Sequence, residues 1–168
     1  MNKTKFIGLL FLIVGLKGFS QQNSQYTQYM YNMPVINPAY SGSSGVPVVR
    51  VAGRTQWVNV LGAPRTASFS IDAPVGRAVG LGFSVIHDRV GPVRENIVSG
   101  DFSYTIFTGG EGRLAFGLKG GIRSFNIGIL TTIDPDPINV PIDRVSAIIG
   151  AGVFYYTDKF YAGFSENQ

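Results

Sequence analysis

The sequence predicts an all-β fold: the wall of an antiparallel transmembrane β-barrel of the outer-membrane type, with about seven strands in the chain. Three observations predict it. Apolar and polar residues alternate with a period of two along most of residues 47–168. Several of these stretches run roughly 10–15 residues, against a usual strand of about 5–6, and a tilted strand needs about 9–11 to cross a bilayer. Tight connections alternate with longer ones, as the two rims of a membrane barrel require.

The elements follow in order. Val48 to Trp57 sets Val49, Val51, Gly53, Thr55 and Trp57 against Arg50, Ala52, Arg54 and Gln56. Thr66 to Asp72 opposes Ala67, Phe69 and Ile71 to Thr66, Ser68, Ser70 and Asp72. Ala78 to His87 opposes Val79, Leu81, Phe83 and Val85 to Gly80, Gly82, Ser84 and Ile86. The fourth stretch puts Val98, Gly100, Phe102, Tyr104 and Ile106 on one face, with Glu95, Ser99, Asp101, Ser103 and Thr105 on the other. The fifth opposes Leu114, Phe116, Leu118, Gly120 and Ile122 to Arg113, Ala115, Gly117, Lys119, Gly121 and Arg123. A sixth is expected from about Val145 to Thr157, and a seventh from near Lys159. Mid-strand charges fall on the polar face alone, which a wet lumen accepts and lipid rejects. Tight turns are expected at Asp72–Arg77, Gly109–Gly112 and around Asp158; longer outer loops at Val58–Arg65, Asp88–Val93 and Ile127–Arg144.

Composition bounds the function. The chain has 168 residues, 22 glycines, no cysteine, one histidine and 14% charged residues, where a soluble domain carries about 25% charge. One domain fits that length. Cysteine-based disulfides, zinc sites and nucleophiles are excluded, and the single histidine, His87, excludes a multi-histidine metal centre. Lys3 and Lys5 before the apolar run Phe6–Leu16, then Gly18 and Ser20 ahead of Gln21, read as a signal peptide over residues 1–20. A membrane anchor is the alternative, but Lys17 cuts the run too short to span as a helix. Losing Lys3, Lys5 and Lys17 leaves the mature chain nearly neutral, so no nucleic-acid partner is expected. Residues 21–46 are expected to form a periplasmic or lumen-packed segment ahead of a partial barrel over 47–168.

No arrangement of catalytic residues stands out. His87 and Asp88 are neighbours on a strand and point to opposite faces. Nucleophile-elbow, zinc-protease and phosphate-loop motifs are missing from the sequence. No enzyme activity, cofactor or small-molecule substrate is expected. Asp134 and Asp136 lie in a proline-stiffened loop where calcium is conceivable, although cargo contact or plain spacing explains them as well. Arg50, Arg54, Asp101, Arg113, Lys119 and Arg123 are candidate lumen-lining residues. The five basic ones either bind anions and guide an extended chain or simply pair with Asp101 and Glu95. Trp57, Tyr155, Tyr156 and Tyr161 near strand ends, with Phe107 and Phe160, are candidate interface aromatics.

The segment Ser24-Gln25-Tyr26-Thr27-Gln28-Tyr29-Met30-Tyr31-Asn32, followed by Ile36-Asn37-Pro38-Ala39-Tyr40-Ser41-Gly42, resembles the start of the PorP/SprF family of type IX secretion proteins from Bacteroidetes. Arg54–Trp57, Gly62–Pro64, Val79–Gly82, Asp88–Pro92, Phe116–Lys119 and Tyr155–Tyr161 continue the resemblance. Ser41 stands where alanine is more usual. The resemblance implies an outer-membrane barrel beside the type IX translocon, supporting secretion or surface attachment of cargo such as gliding adhesins. The implied partners are outer-membrane lipid, translocon proteins and a secreted cargo protein. Family members are roughly twice as long, with about fourteen strands by doubling. Barrels have even strand numbers, so this chain is expected to be half of a larger barrel or to be completed by another chain. Tyr26, Tyr29, Met30, Tyr31, Asn37, Pro38 and Tyr40 form a candidate recognition or plug segment, and Asn37-Pro38 favours a turn. A passive diffusion or uptake barrel and a secreted soluble β-sandwich adhesin are the alternative readings.

Overall fold

A computed structural model describes residues 32–128 and 141–167, with the Asn167 side chain excepted. Seven antiparallel strands form one sheet in sequence order, a half-barrel. They are β1 (Val48–Thr55), β2 (Arg65–Val75), β3 (Val79–Val90), β4 (Val93–Phe107), β5 (Arg113–Ile127), β6 (Ile142–Tyr156) and β7 (Tyr161–Asn167). Ahead of β1 lie one helical turn, α1 (Met33–Ile36), and a 3-10 turn at Pro38–Tyr40.

Alternation decides the faces. Leu118 is 62% exposed while its neighbour Lys119 is 6% exposed, because successive side chains of a strand leave the sheet on opposite sides. Val49, Val51, Phe69, Ile71, Leu81, Phe83, Val98, Phe102, Phe116 and Ile122 share the outer face with Leu118 and are all exposed. Ser70, Asp72, Ser84, Ser99, Asp101 and Ser103 share the inner face with Lys119 and are buried. A soluble sheet buries its apolar side, and this one shows it. Among the described residues no helix is long and apolar enough to cross a membrane, and strands cross by other rules.

Several boundaries differ from the sequence expectation. β3 and β4 run on to Val90 and Val93, so Gly91-Pro92 alone joins them where a longer outer loop was expected. Gly91 takes φ +59, the left-handed conformation that a tight hairpin needs at its first central residue. β2 continues through Pro74 to Val75 and shortens its turn to Gly76–Ala78. Pro74 is tolerated because β1 reaches only as far as Asp72 on that side, opposite Val48. β1 stops at Thr55, so Trp57 is not a strand residue; it lies in the Gln56–Pro64 loop at φ +49. β6 begins at Ile142 and β7 at Tyr161. Gln56–Pro64 and the connection from β5 to β6 remain the long ones at that rim.

Candidate functional site

The candidate site is the polar inner face together with the segment 32–45 that lies across it. Pro34 stands in the first turn of α1, where a missing N–H costs nothing, and the Asn37 N–H closes the turn on the Met33 carbonyl at 2.8 Å. The Asn37 side chain then caps the 3-10 turn. Its Oδ1 accepts the Ala39 N–H at 3.0 Å, and its Nδ2 donates to the Val153 carbonyl of β6 at 3.1 Å.

The wall holds the segment mainly by its backbone. Lys119 Nζ donates to the Pro34 carbonyl at 3.2 Å, and Ser165 Oγ of β7 to the Ile36 carbonyl at 2.9 Å. Ser103 Oγ of β4 donates to the Ser41 carbonyl at 2.5 Å, and the Gly42 N–H donates to Asp72 Oδ2 of β2 at 3.0 Å. Asn32 exchanges bonds with Ser68 and Ser70 of β2. The segment therefore runs from β2 out to β7 and back. Close approach is possible because the wall is stripped of side chains there. A Cβ at Gly117 would collide with the Ala39 backbone, and one at Gly80 with the Ser41 carbonyl. Ala39, Ala115 and Phe154 form the small apolar core of this contact, flanked by Met33, Tyr40 and Tyr156.

Ion pairs form on the inner face. Arg50 bonds Asp72 while its guanidinium lies 5.7 Å from the Tyr40 ring centre. Lys119 meets Asp101 at 2.6 Å, and Arg123 meets Glu95 at 3.0 Å. Buried charges need such partners, since an unpaired one loses its hydration without return.

The structure thus gathers Asn37, Pro38, Tyr40, Arg50, Asp101 and Lys119 in one contact region. Arg123 lies on the same face further along β5, and Arg54 on the same face of β1. Arg113 stacks on Tyr156 at 5.7 Å. The four expected interface aromatics separate. Tyr155 faces outward with Val153. Tyr156 and Tyr161 turn inward around Phe154, at 5.3 and 5.9 Å between ring centres, because Tyr156 shares the strand parity of Phe154 and Tyr161 stands directly opposite Tyr156. Tyr26, Tyr29, Met30, Tyr31, Asp134 and Asp136 lie outside the described residues, as do residues 1–20. Among the described residues no group of three or more acidic or histidine side chains is arranged to hold a metal. Sequence reasoning missed Ser103, Ser165 and the glycine track, whose roles appear only when strands distant in sequence lie side by side.

A sheet with a lipophilic outside and a polar, occupied inside defines a membrane β-barrel protein. A family model described as "Type IX secretion system membrane protein PorP/SprF" matches residues 18–168. The chain belongs to that family and is a membrane component of the type IX secretion system. No curated protein and no solved structure matches it.

Proposed function

We propose that the protein sits in the outer membrane, delivered by the signal peptide at residues 1–20, and assists secretion or surface attachment of a particular cargo protein such as a gliding adhesin. The observation that carries this reading is an outward apolar wall whose polar face is taken up by segment 32–45 in a secretion-family chain. A seated segment argues against the diffusion-channel alternative, which needs an open polar passage. In this reading the strand-joining rim at Gln56–Pro64 faces outward and meets cargo, while the segment closes the inner face from the periplasmic side.

Deleting the gene tests the proposal. The expected outcome is loss of one or a few proteins from the cell surface and medium, with the chain itself found in the outer-membrane fraction. A secreted proteome unchanged by the deletion overturns it.

A further inference from the structure

The outer face carries a second feature, visible only in the register. Arg65 stands directly opposite Arg89, and Arg89 directly opposite Arg94. All three are exposed and belong to the lipophilic face. Cross-strand neighbours on one face lie about 4.5–5.5 Å apart at Cβ, and like charges there repel. Among the described residues no acid stands beside them on this face. Asp88 and Glu95, their nearest acidic neighbours in the chain, point to the inner face, where Asp88 accepts from Thr66 and Glu95 pairs with Arg123. Next in the row comes Asn126, which bonds Asp143 one strand further on.

Below this row the outer face grades from charged to polar to apolar. The next row is Ala67, His87, Asn96 and Ser124, with His87 bonded to Asn96 at 2.6 Å. After it come Phe69, Val85, Val98 and Ile122. The apolar band then continues along β4 from Val98 to Ile106. At ~3.4 Å per residue and a tilt near 40°, it is roughly 20 Å deep, close to the band of about 25 Å on membrane barrels. Arg94 is four residues past Val98, which puts it roughly 10 Å above the band's edge. Headgroup phosphates lie at that depth.

We propose that Arg65, Arg89 and Arg94 form a binding site for phosphate-bearing lipid headgroups of the surrounding leaflet. Guanidinium groups take phosphate oxygens in a two-pronged fork. A phosphate between neighbouring arginines turns their repulsion into attraction. The inference rests on the membrane reading of the half-barrel and adds which lipid chemistry its rim selects.

The test reconstitutes the full chain in phosphatidylcholine vesicles. It measures, by electron spin resonance, how strongly spin-labelled phosphatidic acid and spin-labelled phosphatidylcholine associate with the protein. Wild type is expected to prefer phosphatidic acid by at least about five-fold, the share of one arginine near an anionic surface. The triple variant Arg65→Gln/Arg89→Gln/Arg94→Gln is expected to lose that preference, and Arg77→Gln, at the opposite rim, to keep it. If the triple variant does not fold, Arg94→Glu alone must reduce the preference. Wild type that floats with the vesicles but shows no preference overturns the site and leaves the membrane reading intact. Failure to float overturns both. Inorganic phosphate that binds the detergent-solubilised protein as tightly as phosphatidic acid does would show a soluble-anion site and overturn the lipid assignment.

Discussion

Lys119 has two tasks: its ammonium lies 2.6 Å from Asp101 and 3.2 Å from the Pro34 carbonyl. Both partners of the ion pair are buried, so removing one strands the other. Lys119→Met is expected to destabilise the protein by about 3–5 kcal/mol. Asp101→Leu combined with Lys119→Met is expected to recover most of that loss, since a packed apolar pair carries no stranded charge. Urea unfolding in vesicles, with each variant against wild type, checks both. A double variant no better than the single one would show that the Pro34 contact, rather than charge pairing, carries the effect. The sequence marked Lys119 and Asp101 as polar-face residues. That the bases pair with Asp101 and Glu95 was legible in it; which base meets which acid was not, because the register that sets Lys119 opposite Asp101 is a property of two assembled strands.

Among the elements, the strands were the legible part. Alternation in β1, β4 and β5 runs as the residues read, because a one-residue slip would turn every apolar side chain inward. Ends were less legible. Arg65, Asp88 and Arg89 look like loop residues by composition, yet pairing takes Arg65 into β2 and carries β3 through Asp88 and Arg89 to Val90. That misreading hid the arginine row, whose members come from two hairpins. The segment 32–45 shows the same limit: its turn is announced by Asn37-Pro38, but its resting place depends on glycines of β3, β5 and β6. Gly117→Leu is therefore expected to push the segment off the wall without disturbing the outer face. Because the chain has no cysteine, a single Ala39→Cys reports the change. Maleimide should label it slowly in the parent protein, where Ala39 is buried, and at least ~10-fold faster with Gly117→Leu, as local opening free energies fall. Equal labelling rates would mean that the segment is held elsewhere.

At the scale of the molecule, the sheet of the described residues ends in two edges, β1 and β7, that no other described strand pairs. In lipid every free ladder group is costly, which supports the expectation that this sheet is half of a larger barrel or is completed by another chain. The segment 32–45 already spans most of that distance, touching β2 and β7. This ties the width of the wall to its own chain. The environment of the outer face is the premise on which membrane placement, edge closure and the arginine rim all depend, and Leu118 measures it. Leu118 stands in the apolar band opposite Phe102 and is 62% exposed. If water bathed it, Leu118→Arg would change stability by no more than about 0.5 kcal/mol. Facing lipid near mid-depth, the same change is expected to cost about 2–4 kcal/mol. Arginine at Ser84, on the inner face, would meet buried hydroxyls instead and so is no control. Leu118→Ala provides one, because it removes apolar area without adding charge. Unfolding titrations of Leu118→Arg and Leu118→Ala in vesicles should differ by most of the arginine cost. A Leu118→Arg protein as stable as Leu118→Ala would place the outer face in water.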